Sequence, residues 1–510
     1  MAYVAPNSTV EFFGDLGLND NYDDTLYFSS ESAKNSYFSN LTKLATATAM
    51  SYNREQRGFI RVELPMSTLI SASYMRFKNT SFENKWFYAF INNVEYINNN
   101  CTQINFKIDP MMTWMGTFTL NQCFVERQHS TTDGVGDNIV EENLDIGDYV
   151  YHSITRTRAF GNYTIIIGAS VGQDGESIAG GSMVNNIYSG VMLHQFGTVE
   201  AANAFIDSLT DKAKSDAIVA CVMCPSKFIT EGESTTELFT VPKNLQHLDG
   251  YFPKNNKLFT YPYNYLVVTN GQGNFATFRY EFWSDPTYCR FSLGGVASLQ
   301  PCAVLSPDQY KNASGTIFNY AEKMEINNFP QCAFNIDQYK AFLAQNSSSI
   351  TVDAVSTVAS GVVNTAIGTA MFGLGGIKAG LNAAEEIAKK IAFHNDYKKK
   401  PTQSNGVTTS EFAASRREKD FWFFKQTITS QYARIVDDYF TMFGYAQNKC
   451  MTPNMNARPN WTYVKTLGCS VSGAIPADDA SDIENIFNRG VRFWKNHNNI
   501  GNYSLDNSPA

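Results

Sequence analysis

The chain has 510 residues, 40 basic and 48 acidic, for a net charge of −8, and only 17 % are charged, against about 25 % in an ordinary soluble domain. That length allows several domains and a core that needs neither disulfides nor metals, while the acidic balance argues against a protein that grips nucleic acid by its phosphates. Nine cysteines scattered between Cys101 and Cys469 are no disulfide framework.

The thiols are expected to be reduced and mostly buried. The start, Met1 to Asn7, has no basic region and no apolar run, so no secretory signal peptide is expected and any membrane role would follow folding. Residues 1–125 read as strands. Phe59–Leu64 alternates in part and Trp86–Ile91 is an aromatic run. Val94–Ile97 and Gln103–Ile108 follow, separated by the turn Asn98–Asn100. In Gln103–Ile108 the apolar Ile104, Phe106 and Ile108 alternate with Gln103, Asn105 and Lys107, the pattern of a half-buried strand. Tyr163–Ile167 reads as a buried strand. Val199–Lys214 reads as a short helix with Phe205, Ile206 and Leu209 on one face. Leu266–Thr269 and Ala276–Phe282 resume the strand pattern across Asn270–Gly273. Ile336–Gln345 and Glu385–Ile391 are helix-compatible, residues 411–447 read as helical and aromatic, and 460–503 as short strands with a helix around Ile483–Trp494. The expected class is mainly β (α+β), built as a barrel or sandwich. The expected divisions are an N-terminal β domain over 1–130, a middle β-rich region over 131–335, an apolar insertion with flanking helices over 336–410, and a C-terminal segment over 411–510.

Several motifs imitate active sites. Gly168–Gly172 fits a nucleophile elbow around Ser170, but loop residues follow where that motif needs a helix. Gly271–Ala276 resembles a dinucleotide turn, yet a strand follows it, so a hairpin is expected. Cys221 and Cys224 form a lone pair without further ligands at metal spacing. The acidic pairs Glu141–Glu142, Asp437–Asp438 and Asp478–Asp479 diverge on either kind of element, and solvated surface is the reading for them, with Asp478–Asp479 also suited to open a helix. No catalytic residue, no metal and no cofactor is expected.

The most informative feature is Ala354–Ile377, which contains no charged residue. As a helix it is long enough to span a bilayer core. Val355, Val358, Val362, Val363, Ile367, Met371, Phe372, Leu374 and Ile377 supply apolar bulk, diluted by Ser, Thr and Asn. Gly361, Gly368, Gly373, Gly375 and Gly376 supply flexibility, and small residues four apart permit close helix approach in a membrane. A buried core helix and a Gly/Ala/Ser linker are the competing readings. Lys389, Lys390 and Lys398–Lys400 follow, suited to phospholipid headgroups.

Leu69–Tyr74, Asn84–Phe90, Phe106–Asp109 with Thr113–Met115, and Phe124–His129 form one ordered block of motifs. Tyr463–Thr466, Ile486–Gly490, Trp494 and Asn499–Tyr503 form another. In these blocks the chain resembles the tail knob (distal tail tube) proteins of small short-tailed phages of Gram-positive bacteria. The likeness covers roughly the first 150 and last 50 residues and is poor over 150–330. The resemblance implies a virion protein made in the bacterial cytoplasm and assembled as a homohexameric tube below the upper tail tube and collar proteins. In that family an apolar loop, here about 350–400, plugs the lumen and is released into the host cell membrane, and phage DNA passes without specific binding. The alternative is a host cell-wall attachment protein that binds carbohydrate through aromatics such as Tyr261 and Tyr263.

Overall fold

Alternation at period two is realised as sheet through most of the chain. The structure, a computed structural model, describes residues 7–50, 58–157, 163–172, 183–184, 187–188, 192–212, 217–226, 237–271, 273–296, 300–311, 323–327, 329, 331–333 and 420–509. The fold is mainly β. It divides into two units, and the chain crosses between them four times. Unit 1 comprises Met1–Asp148, Gly250–Tyr263 and Ile428–Ala510; unit 2 comprises Tyr149–Asp249 and Asn264–Thr427.

Unit 1 contains an antiparallel six-stranded sheet in the order Ala45–Met50, Ser8–Phe13, Tyr74–Lys78, Phe87–Asn98, Cys101–Ile108, Phe59–Val62. The hairpin Phe87–Ile108 turns where Asn98 to Asn100 predict it, with the Asn98 side chain accepting the Asn100 N–H at 2.9 Å. Ile104 and Phe106 point into the core. A second sheet runs Asp24–Leu26, Val491–Trp494, Trp461–Leu467, Cys123–Gln128, Tyr445–Met451. Trp461 lies opposite Trp494 in register, both fully buried with ring centroids 5.0 Å apart. Burying each such aromatic contributes on the order of 2–3 kcal/mol.

Helices interrupt the N-terminal strands. Glu31–Asn40 begins at Ser30, whose hydroxyl accepts the Ala33 N–H. It is turned inward by Phe38 and by Lys34, whose Nζ donates to the carbonyls of Met112, Thr113 and Met115 at 2.8, 3.2 and 3.1 Å. Those carbonyls lie at the end of the short helix Pro110–Trp114, where a cation complements the free C=O groups. Ala477–Arg489 buries Ile483, Ile486 and Phe487, spaced three and four apart, and stops at Gly490. Gly444 ends another helix, Ser430–Phe443, with φ +64; a Cβ there would sit 2.4 Å from the backbone of Gln128 and His129. Only glycine fits that approach.

Unit 2 holds three four-stranded sheets. One runs Tyr149–Arg156, Trp422–Ile428, Asn264–Thr269, Phe275–Phe278. The second runs Met192–Phe196, Tyr163–Ala169, Ile218–Pro225, Gln331–Ala333, and the third Glu237–Pro242, Tyr288–Val296, Cys302–Pro307, Met324–Ile326. The helix Val199–Asp211 buries Phe205, Ile206 and Leu209, as its periodicity predicts. The core is apolar and strongly aromatic. Phe278, Trp283, Phe291 and Tyr310 cluster with centroids 4.7–5.6 Å apart, and Phe423 joins them 5.1 Å from Phe291.

Three expectations are corrected here. The strand expected over Ala276–Phe282 ends at Phe278, with a 3-10 turn over Tyr280–Phe282, and the helix expected around Ile483–Trp494 runs instead over Ala477–Arg489, with Val491–Trp494 a strand. The aromatic run that begins at Phe421 continues along a strand and not a helix: Trp422–Ile428 pairs with Asn264–Thr269, and the helix begins only at Ser430. Consecutive aromatics followed by Thr427 and Ile428 fit a pleated surface, and the edge offered by Asn264–Thr269 overrides a local helical reading.

Candidate functional site

The residues singled out for membrane entry, Val355, Val358, Val362, Val363, Ile367, Met371, Phe372, Leu374 and Ile377, and the glycines Gly361, Gly368, Gly373, Gly375 and Gly376, all lie outside the described residues, as do the helix-compatible 336–345 and 385–391. Their attachment points in unit 2 are described. On the N-terminal side the chain leaves from Gln331–Ala333, which pairs antiparallel with Ile218–Pro225 through Val222↔Gln331 and Ala220↔Ala333. Just before it, Phe329 is buried in the core.

On the C-terminal side the chain re-enters at Asp420. Thr157 Oγ1 donates to Asp420 Oδ1 at 2.7 Å, and the Thr157 N–H donates to Phe421 O at 3.1 Å. Phe421 and Phe423 are buried, and Trp422–Ile428 is an interior strand of its sheet. On the same strand, Phe424 meets Tyr151 at 5.4 Å and Trp422 faces the Arg156 guanidinium at 5.5 Å. Residues 334–419 are thus inserted between two strands that are each fixed by register and core aromatics. Among the described residues no helix is long and apolar enough to cross a membrane.

The imitations of active sites resolve into structure. Ser170 Oγ donates to Ala217 O at 3.4 Å, and the His194 Nε2 lies 2.8 Å from Val171 O, a backbone partner. Asn270 and Asn274 close the hairpin between Asn264–Thr269 and Phe275–Phe278, the Asn270 N–H donating to Asn274 O. Cys221 and Cys224 are buried on one strand, and desolvation pushes the Cys224 thiol up to about 12. Among the described residues no group of His, Cys, Asp or Glu could hold a metal ion.

The acidic pairs are not simply solvated. Glu142 is buried and accepts from Arg127 Nη2, Lys257 Nζ and the Ala446 N–H. Burial, then the neighbouring Arg127, pull Lys257 down to about 7. Asp437 is fully buried: Oδ2 accepts from Tyr251 Oη and the Lys254 N–H at 2.8 and 2.7 Å, and Oδ1 from the N–H and Nδ2 of Asn255 at 3.0 and 2.7 Å. Asp479 accepts the Trp114 indole N–H at 2.7 Å in the first turn of its helix. Tyr263, offered above as a carbohydrate-binding aromatic, is buried against Phe440 at 5.7 Å. These polar partners come from positions far apart in the chain, so no local pattern announces them.

Comparison with known proteins fits this arrangement. The family model described as "Bacillus phage phi29, Tail knob protein gp9, C-terminal domain" matches residues 226–508, more than half of the chain, and so enters the middle region where the likeness was expected to be poor. A second, "Caudoviral major tail protein N-terminus", matches residues 6–119, which contain the six-stranded sheet. The tail knob proteins gp9 of Bacillus phages PZA and phi29 are each 24 % identical over 603 aligned positions, covering 99 % of this chain and 100 % of theirs. As 603 positions exceed 510 residues, those relatives carry segments that this chain lacks. The bacteriophage C1 tail knob protein gp12 shares the fold, with a TM-score of 0.60 at 16 % identity, covering 98 % of this chain and 99 % of that one. The chain therefore belongs to the tail knob protein gp9 family of phi29-like phages, a structural and non-enzymatic component of the virion tail that assembles with other tail proteins.

Proposed function

We propose that this protein forms a DNA-conducting tube at the tail tip, and that its apolar segment plugs the lumen and enters the host membrane at infection. The observation that carries this reading is the charge-free stretch 354–377 set between two anchored strands of unit 2. Six copies form the tube from the β domains, contacting upper tail tube and collar proteins above. Residues 336–410 form the plug within that assembly. Apolar surface is costly to expose to water, so storage inside a tube and release to a bilayer follow from the same composition. The lysines at 389, 390 and 398–400 meet anionic headgroups on release. With a net charge of −8, the protein offers little to hold DNA, and the polyanion passes.

Deleting 354–377 should leave ring assembly and the melting of both units unchanged while abolishing dye release from liposomes. Dye release at the wild-type rate by the deletion variant would sink the proposal.

A further inference from the structure

Unit 1 contains a cleft of about 440 Å³ bordered by His129, Lys254, Asn255, Thr441 and Arg458 and by the partly exposed strap Ser504–Ser508. Arg458 is only 4 % exposed. Its Nη1 donates to the Asn507 carbonyl at 3.2 Å, but Nε and Nη2 are buried with no hydrogen-bond partner. A guanidinium stays charged, and buried charged donors left unpaired are costly. Nε and Nη2 together form the planar edge that matches a carboxylate with two parallel hydrogen bonds.

The neighbouring groups do not supply that carboxylate: Tyr445 Oη lies against the guanidinium, but it is a phenol already turned to Asp133 and Asn255. Asp133 lies close enough to act on Arg458, yet its oxygens are engaged by Tyr445 Oη at 2.5 Å and the Asn256 N–H at 3.1 Å. Asp506, on the strap, accepts the Ser508 N–H at 3.0 Å and faces solvent. His129 is spent on structure: Nδ1 accepts the Tyr463 N–H at 2.8 Å and Nε2 donates to Thr441 O at 3.2 Å. Lys254 is exposed and adds positive charge at the rim.

We infer that this cleft is a carboxylate-binding site, with the Nε–Nη2 edge of Arg458 as its anchor, Lys254 as its outer cation and the strap Ser504–Ser508 as its cover. The strap is held to Asn460 and Trp461 through Asn507, to Asn460 Nδ2 through the Asp506 carbonyl, and to the core by Leu505, while only the single Nη1 bond to Asn507 O ties it to Arg458. The carboxylate is that of a small free acid or of a side chain on another tail protein.

The test uses the full-length protein, with titration calorimetry against succinate, sulfate and chloride at matched ionic strength, and electron microscopy of assembly. Saturable succinate binding, weakened at least tenfold in Arg458→Lys and about threefold in Lys254→Ala, identifies a free-acid site. No succinate binding, but assembly lost in Arg458→Lys and weakened in Lys254→Ala with melting unchanged, identifies a protein-borne carboxylate. Because Lys254 is exposed, that variant separates binding from folding if Arg458→Lys fails to fold. Equal binding of sulfate and succinate would overturn the assignment, and so would wild-type behaviour of Lys254→Ala in both assays. The plug proposal survives either failure, since it rests on residues of unit 2.

Discussion

The two units bury different chemistry. Unit 1 encloses Glu11 with Arg76, Lys34 on three carbonyls, Asp109 between Tyr22 and Tyr74, Glu142 between Arg127 and Lys257, and Asp437 beneath Tyr251 and Asn255. Unit 2 is held by Ile166, Val222, Leu266, Phe278, Trp283, Phe291 and Phe423, and among its described residues the buried polar ones apart from Asp420, such as Thr164, Asn264 and Thr427, are not carboxylates, lysines or arginines. Apolar packing is tolerant of exact partners, whereas a buried charge fails when one partner leaves. Unit 1 is thus built for a specific arrangement. Unit 2, which carries the insertion, is built on apolar area.

The contrast is open to direct attack. The largest effect is expected for Glu142→Ala, which strands Arg127 and Lys257 in the interior at a cost of roughly 4 kcal/mol, confined to unit 1. Hydrogen exchange in Tyr445–Met451 should quicken accordingly, with no change in Tyr288–Val296. In unit 2, Phe291→Ala opens a cavity among Phe278, Trp283 and Phe423 and should cost about 3 kcal/mol, the same at pH 5 as at pH 7. Equal exchange rates in both units after either change would dissolve the distinction.

The third prediction concerns acid. Burial first, then Arg458, hold the His129 imidazole down at about 3 from its usual 6.5. A depressed pKa means that the folded state prefers the neutral ring. The stability so gained is present above 6.5 and is lost as pH falls towards 3, by roughly 1.4 kcal/mol per pH unit. Asp109, raised by burial from 3.8 to about 6, works the other way and softens the loss between those two values. His129→Gln retains a donor and an acceptor and should flatten the acid dependence of unit 1 unfolding. An unchanged slope in urea titrations from pH 7 to 4.5 would place the acid sensitivity elsewhere.

Legibility follows the range of the interaction. The strand Cys101–Ile108 and the helix Val199–Asp211 were readable because each repeats its own period over several residues, and the turn at Asn98–Asn100 because three asparagines stand together. The helix Glu31–Asn40 was not, since it is held by Lys34 and Phe38 rather than by a broad apolar face. The strand Trp422–Ile428 was missed because its partner, Asn264–Thr269, lies far away in sequence. Buried Glu142 and Asp437 looked like surface for the same reason: their partners converge from distant segments. The charge-free stretch 354–377 is visible in composition alone, and its attachment between Gln331–Ala333 and Trp422–Ile428 is what the fold adds.

Electron microscopy of the purified protein with and without liposomes tests the central claim most directly. The account predicts hollow rings or short tubes that dock end-on to vesicles and empty them of dye. Monodisperse single chains that ignore vesicles would contradict it and return 354–377 to the status of an ordinary core segment.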